Sequence, residues 1–492
     1  MFNAKIILLL LFVFGWLLYT TRILDVPPGI NGDEATLGYN AALISKTLRD
    51  ENGSLLPLFV STHEGKDWKQ PVSIYATSLA FSIFGPSYFT LRSVSVFFVL
   101  VSALLIFILL KELLDSRFAI LGSLIFMTIP AVIIQSHLAL ENIAPIPFVT
   151  FWILMLVRYQ KNGNEKYLFL SAISLGLSLY SYQAMRIIAP VFISLTILYL
   201  ILLSDSFFRK RWIKPVTIFI LGVLPFVLFF LVVRKEYPGA LGAHNRPSFP
   251  QSYQEFILPY LSSYDLSFLF IQGDSTLYHS TGKHGIFLLA SLPLFISGVY
   301  GCIKGKGLIL RLILIAFFTA PFFFGLVGSV HRGSRLLAIL PLYTIIATIG
   351  LKGFLEVNAK NLRAGILILI STLMLVNFLD FTVDFWFKYP HRVKAIFPSN
   401  VHITFETFYK KSKDLGKKSL IQHDLYENRK YDAKFFEKVY FPQGLQTWRV
   451  GDNLEPGSMV LISAHNLPIA ERLGAKKIET ELTDPILVAK DF

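Results

Sequence analysis

Two adjacent acids, Asp33 and Glu34, stand in the stretch VPPGINGDEATLGYN just beyond a long apolar run. A carboxylate there is placed to take a proton from a hydroxyl at a membrane surface, the work of a general base. Other ionisable groups recur at similar positions next to apolar runs. HEGKDWKQPVSIY (63–75) carries His63, Glu64 and Lys69, HLALENIAP carries Glu141, YSYQAMR carries Arg186, and VHRGSRLLAILP carries His331, Arg332 and Arg335. Ionisable groups near membrane depth are costly and mark functional sites by default. This mixture of signs suits a reaction in which a base activates a nucleophile while cations stabilise a departing phosphate. Lys69 offers a point charge, and the arginines offer forked hydrogen bonds.

Each group also has a plainer reading. Asp33 caps the helix that starts at Glu34, and Glu34 favours the positive end of that helix. The 63–75 stretch is a polar rim with snorkelling lysines. Glu141 is a turn acid in water, and Tyr180 and Tyr182 belong to an aromatic belt, the reading favoured for the tyrosines. His331, Arg332 and Arg335 anchor the outer leaflet, although three basic groups on an outer loop run against the positive-inside trend, and phosphate binding accounts for the exception. His63 beside Glu64 does not make a metal site, so none is assigned and no cofactor is required. The acids of loop 22–89 could still hold a divalent metal.

Composition says what must position these groups. The 492 residues are 54% hydrophobic and only 16% charged, whereas soluble domains carry roughly 25% charged residues. The chain therefore reads as a polytopic α-helical membrane protein, and the alternating strands of a barrel are absent. The net charge of +14 sits in short loops between apolar runs, which points to topology rather than to nucleic acid. Apolar runs fall near 5–21, 90–110, 117–136, 142–157, 167–183, 185–203, 213–233, 285–303, 308–328, 335–356 and 362–386, giving about eleven transmembrane helices. The stretch 71–85 is too short to cross and reads as an interfacial or re-entrant helix.

Short basic loops such as 111–117, 158–166, 205–214, 304–307 and 352–363 then lie inside, with the N-terminus cytoplasmic. Residues 1–386 form the transmembrane domain, with large extracytoplasmic loops at 22–89 and 234–284. Loop 22–89 carries an amphipathic helix with Leu37, Ala41, Ile44 and Leu48 on one face. Residues 387–492 read as a small extracytoplasmic α/β domain, with strands expected in KSLIQH, FFEKVYF, GSMVLISAHN, KKIETEL and PILVAKDF and a helix in LPIAERLG. Cys302, the only cysteine, excludes an intramolecular disulfide and reads as an apolar residue near a helix end. No small-residue cleavage site follows the first apolar run, so it is read as a retained helix rather than a signal peptide.

The ordered set GDEATLGYNAALI, HEGKDWKQPVSIYATSLAFSIFGPSYFTLR, LGLSLYSYQAMRIIAP and HRGSRLLAILPLY resembles membrane glycosyltransferases of the GT-C type, over roughly residues 5–385. Among these it looks like the protein O-mannosyltransferases and the lipid A aminoarabinose transferase. The resemblance implies an inverting, mannosyltransferase-like hexosyltransferase of the cell envelope. It would move a sugar from a polyprenyl phosphate to an acceptor hydroxyl at the outer face of a prokaryotic plasma membrane. It implies Asp33 as general base, Glu34 as its neighbour in acceptor positioning, Lys69 and Arg335 on the donor phosphate with Arg332 and His331 beside them, and Glu141 as an acid on an outer hairpin of the cleft, where Arg186, His63 and Glu64 are also expected. This chain has KQP where some relatives have KPP, and its tail does not resemble theirs. The acceptor is left open as a glycan, a lipid or a protein, with membrane lipids as surroundings and no nucleic acid partner. Two other classes stand beside the enzyme: a polar-lipid transporter or flippase, and an envelope assembly scaffold. A transporter predicts inverted repeats and broken helices at midplane, and neither is visible in the sequence.

Overall fold

Each apolar run folds as helix in the computed structural model, which describes residues 4–491 except 64, 205–210, 234, 242–249, 306 and 329. Seven described helices are long and apolar enough to cross a membrane: Tyr88–Leu113, Glu141–Asn162, Met185–Leu203, Ile213–Val233, Leu308–Leu326, Leu337–Leu355 and Lys360–Arg392. An eighth span exists if Ser116–Met127 and Pro130–Ser136, bent by 62°, count as one. The bend follows from Pro130, which starts the second segment and leaves Ile129 extended. The expected count of eleven is not met by helix length. The runs near 5–21, 167–183 and 285–303 yield the shorter helices Ala4–Thr20, Glu165–Ser178 and Leu292–Lys304. The last is shortened because residues 285–288 are irregular and a 3₁₀ turn, Leu289–Ser291, precedes Pro293. The stretch read as interfacial forms the helix Pro71–Phe84. Parts of the loops at 205–214, 234–284, 304–307 and 328–335 lie outside the described residues.

The chain divides into two compact units. The first holds Met1–Ile23, Pro57–Ala76 and Arg92–His391; the second holds Leu24–Leu56, Thr77–Leu91 and Arg392–Phe492. A split of the sequence at 386 and 387 therefore captures only the tail of the second unit, which also takes in two segments of the first long loop.

In the first unit, helices Leu292–Lys304 and Leu340–Leu355 pack backbone to backbone. A Cβ on Gly298 would lie 1.9 Å from the Ile346 carbonyl oxygen, and one on Gly350 1.8 Å from that of Leu294. Small residues let helices approach this closely in lipid. Two short strands, β1 (Val60–Thr62) and β2 (Asp67–Lys69), pair antiparallel with Val60 opposite Lys69.

In the second unit, β3 (Lys418–Gln422), β4 (Gln446–Trp448), β5 (Ser458–Ile462), β6 (Lys476–Lys477) and β7 (Ile486–Ala489) form a sheet ordered β4-β3-β5-β7-β6. β3 is parallel to both neighbours, and β7 is antiparallel to β5 and β6. The expected strand in FFEKVYF is instead part of the helix Tyr431–Tyr440, because Phe435, Phe436, Val439 and Tyr440 recur at helical spacing. KKIETEL contributes only the two residues of β6, and β4 was not expected. LPIAERLG forms the helix Leu467–Arg472 as read. The Gly32–Thr47 helix packs on Tyr431–Tyr440, so closely that a Cβ on Gly38 would lie 2.8 Å from the Phe435 ring. Leu37, Ala41 and Ile44 are buried as the spacing requires. Leu48 is not on that face: it is the left-handed C-cap at φ 58° and is exposed.

Candidate active site

The site residues of the first unit begin at the β1–β2 hairpin. His63 turns it with φ 51°, and Glu64 lies outside the described residues. Lys69 ends β2 almost fully buried, its Nζ 2.6 Å from Asp67 Oδ2. Asp67 Oδ1 accepts the Trp68 N–H at 2.8 Å, which fixes the carboxylate against its own strand.

Gln70 follows, fully buried, and joins three chain segments. Its backbone N–H donates to a Glu141 carboxylate oxygen. Its side-chain oxygen accepts from Arg186 Nη2 at 2.8 Å, and its amide nitrogen donates to the Trp68 carbonyl at 2.9 Å. A proline here would have no N–H to give Glu141, so the KQP variation belongs to a specific bond. Arg186, at the start of the Met185–Leu203 helix, also donates to the Ala240 carbonyl and lies over the rings of Phe59 and Phe230 at 5.6 and 5.5 Å. Glu141 is within electrostatic reach of Arg186. A buried guanidinium needs such partners, and it has a carboxylate, two oxygens and two aromatic faces.

Glu141 opens the 3₁₀ turn Glu141–Ile143, which packs against the turn Gly333–Arg335. Tyr182 meets this place through hydrogen bonds with Ser334 and Arg335. Desolvation raises the Tyr182 phenol, while Arg335 and Ser334 pull it down. Desolvation lowers Arg335 from its ordinary value, Tyr182 opposes this, and Arg332 adds to it. The belt reading of Tyr182 is therefore corrected: it belongs to a polar cluster and not to an outward-facing ring of aromatics. Tyr180 is buried and donates to the Phe226 carbonyl at 2.7 Å, so it is not a belt residue either.

Asp274, which the sequence reading passed over, holds the turn in place. Its Oδ1 accepts from the Thr276 N–H and hydroxyl, each at 2.8 Å, and its Oδ2 accepts the Gly333 N–H at 2.5 Å. Arg332 stands 4.0 Å from Asp274 and 3.4 Å from the Thr276 hydroxyl. His331 pairs instead with Asp265 at 3.0 Å. An acid in a QGDST loop that later closes a turn some sixty residues away leaves no local signal, and only its type marks it. The first unit thus brings together Glu141, Arg186, Arg335 and Arg332, with His331 at the margin and Lys69, paired to Asp67, one residue before Gln70.

Asp33 and Glu34 lie in the second unit, in the first turn of Gly32–Thr47. The cap is Asn31 rather than Asp33, and the helix begins at Gly32 rather than Glu34. Asn31 Oδ1 accepts the Glu34 N–H at 2.8 Å, and the Glu34 carboxylate accepts the Asn31 N–H at 3.3 Å, closing a capping box. Glu34 is fully buried and committed to that box, whereas Asp33 is exposed at the positive end of the helix. Cys302 is buried within Leu292–Lys304, as expected.

Residues 69–233 match the family described as dolichyl-phosphate-mannose-protein mannosyltransferase, a stretch that contains Lys69, Gln70, Glu141, Tyr182 and Arg186 but less than half of the chain. No curated protein matches the chain by sequence. Among solved structures, it is similar to ArnT from Cupriavidus metallidurans bound to undecaprenyl phosphate, at 12% identity and a TM-score of 0.61, over 99% of this chain and 98% of that one. It is also similar to the archaeal oligosaccharyltransferase AglB from Archaeoglobus fulgidus, in complex with an inhibitory peptide and a dolichol-phosphate, at 13% identity and a TM-score of 0.52, over 95% of this chain and 68% of that one. At these identities the likeness is one of fold, and it spans almost the whole of this chain. The buried polar cluster, the matched segment and the shared architecture agree with the sequence resemblance: the chain has the fold of the GT-C type membrane glycosyltransferases.

Proposed function

We propose that this protein is an integral membrane glycosyltransferase that moves a sugar from a polyprenyl-phosphate donor to an acceptor hydroxyl on the extracytoplasmic face, with inversion at the sugar carbon. The observation that carries this reading is the cluster of Glu141, Arg186 and Arg335, half-buried and tied together through Gln70 and Tyr182, with the buried Lys69 next to Gln70 in the chain. Most of it lies in the segment similar to dolichyl-phosphate-mannose users. Two structural neighbours of this fold were solved with a polyprenyl phosphate.

In the proposed reaction Asp33 takes the acceptor proton and the acceptor oxygen attacks the anomeric carbon. The C–O bond to phosphate breaks, and Lys69 and Arg335 stabilise the phosphate that leaves. Arg332 and His331 support that charge, and Glu141 with Arg186 and His63 lines the cleft. A phosphate monoester is a fair leaving group, so the reaction needs no separate acid. The proposed topology has the N-terminus cytoplasmic, and residues 387–492 lie outside, in a prokaryotic plasma membrane. The basic loops support that orientation.

The test is a transfer assay with the protein in liposomes, a panel of polyprenyl-phosphate hexoses and pentoses, and glycan, lipid and peptide acceptors, each run with and without chelator. Consumption of at least one donor with formation of the free polyprenyl phosphate supports the reading. Lipid movement across the vesicle with no donor turnover for any member supports a flippase and overturns it.

A further inference from the structure

A cavity of about 400 Å³ opens in the second unit at the carboxyl ends of β3 and β5. The two strands are parallel neighbours whose outgoing chains part. The chain leaving β3 leads to Tyr431–Tyr440, which packs beside the helix Asn400–Asp414. The chain leaving β5 leads to Leu467–Arg472, and Ala470 in that helix packs with Leu420, Val460 and Ile462. The alternate residues Ile421 and Leu461 turn the other way and line the cavity with Phe405 of Asn400–Asp414. Helices thus cover opposite faces, and the sheet divides between β3 and β5. In open α/β sheets this is where ligands bind.

The cavity has an apolar floor and a rim of planar polar groups that the fold holds still. Gln422 Oε1 accepts the Ser463 N–H and the Asn466 amide, each at 3.0 Å. Asp484 Oδ1 accepts the Ala464 N–H at 2.9 Å and the Ser463 hydroxyl at 3.2 Å. These bonds fix the loop after β5, and they leave Asp484 Oδ2, His465 Nε2 and Asn428 Oδ1 with no bond among the described residues. The one guanidinium in the wall, Arg429, is held 3.0 Å from Glu437 and 3.5 Å over the Tyr426 ring, while its buried Nε has no acceptor among the described residues.

We infer that this cavity is a saccharide-binding site, taking a neutral pyranose ring at the carboxyl ends of β3 and β5, separate from the residues assigned to sugar transfer. A pyranose presents C–H faces and hydroxyl edges, which match an apolar floor and a rim of carboxylate and amide groups. A phosphate or other anion would meet Asp424 and Asp484 with the only wall cation already paired to Glu437. A bare metal ion would make no use of Phe405, Ile421 and Leu461. Asp484 and Asn428 accept from ring hydroxyls.

Binding is read directly, so the result does not depend on the transfer reaction. The full chain is placed in nanodiscs, because alkyl glycoside detergents carry the group under test. Saturation-transfer difference spectra are recorded with methyl α-glucopyranoside, methyl α-mannopyranoside and methyl β-galactopyranoside. Glucose 6-phosphate serves as the anionic probe, and calcium alone is titrated by calorimetry. At least one neutral glycoside is expected to bind, with glucose 6-phosphate weaker by about tenfold, and Asp484→Asn and Asn428→Ala each raising Kd by about tenfold. Asn428 is exposed, so its variant keeps the fold if the Asp484 variant does not. The inference is overturned if no glycoside gives a signal at about 20 mM, a concentration that detects millimolar affinity. It is also overturned if binding is unchanged in the folded variants, which places it elsewhere, or if calcium or the phosphate ester binds in preference to the glycosides.

Discussion

Glu34 and Glu141 are both carboxylates that accept a backbone N–H, but the partners reach them in opposite ways. Glu34 bonds Asn31, three residues away, in a box that any isolated helix start could form. Glu141 bonds the N–H of Gln70, seventy-one residues away, and Gln70 in turn holds Arg186, 116 residues from itself. The first arrangement is local and leaves its neighbour Asp33 exposed. The second is a buried network in which Gln70 joins the Glu141 carboxylate to the Arg186 guanidinium, so removing one strands the others. The difference separates a local helix start that leaves an acid exposed from a frame built across distant segments.

The largest expected effect comes from Asp33→Asn. It is predicted to lower kcat by about 10²- to 10⁴-fold, the range for losing a general base, with the melting temperature unchanged. Normal turnover in a well-folded Asp33→Asn protein would remove Asp33 from the mechanism. Arg335→Ala is predicted to lower kcat by about 10²- to 10³-fold through loss of charge stabilisation. It also strips Tyr182 of a partner, so a modest fall in Tm accompanies it, unlike for Asp33. Gln70→Pro tests the network by itself: it removes the N–H that Glu141 accepts and the side-chain amide that holds Arg186, each loss costing about 1–3 kcal/mol in denaturant unfolding. If the stability of Gln70→Pro matches the wild type, the two carboxylates are not held differently and the contrast fails. The smallest effect is expected from Asn31→Ala, about 1 kcal/mol of stability from the lost cap, with kcat nearly kept. A collapse in turnover for Asn31→Ala would mean that the box aims Asp33 as well as starting its helix.

The same contrast explains what the sequence disclosed. The helices were legible because apolar runs need no partner to be recognised, and the stretch 71–85 was separated from the spans by length alone. The motifs around Asp33, Lys69, Glu141 and Arg335 were legible because ionisable residues are conspicuous beside lipid. Tyr182 was misread because a tyrosine at a hairpin looks the same in a belt and in a polar cluster until Ser334 and Arg335 arrive from elsewhere. Asp274 and Gln70 were invisible as organisers, since each acts through residues distant in sequence. FFEKVYF was misread because two adjacent phenylalanines suit a buried strand as well as a helix that packs against another helix. Asn31-x-x-Glu34 carries the capping signature, but the acid after Gly32 offers a second cap that hides it in the sequence.

Asp67 beside Lys69 has a consequence for traffic through the proposed cleft. Lys69 is nearly buried and already faces a carboxylate at 2.6 Å. A lipid phosphate that engages this lysine must displace or share a resident anion, and once the phosphate departs the same carboxylate can return. On the proposed role of Lys69, Asp67 would be a placeholder, giving the lysine a counterion between turnovers and making the spent lipid easier to shed. A neutral residue at 67 would trade that ease for grip: slower product release, stronger inhibition by free polyprenyl phosphate, and a lysine that holds on to what it should let go.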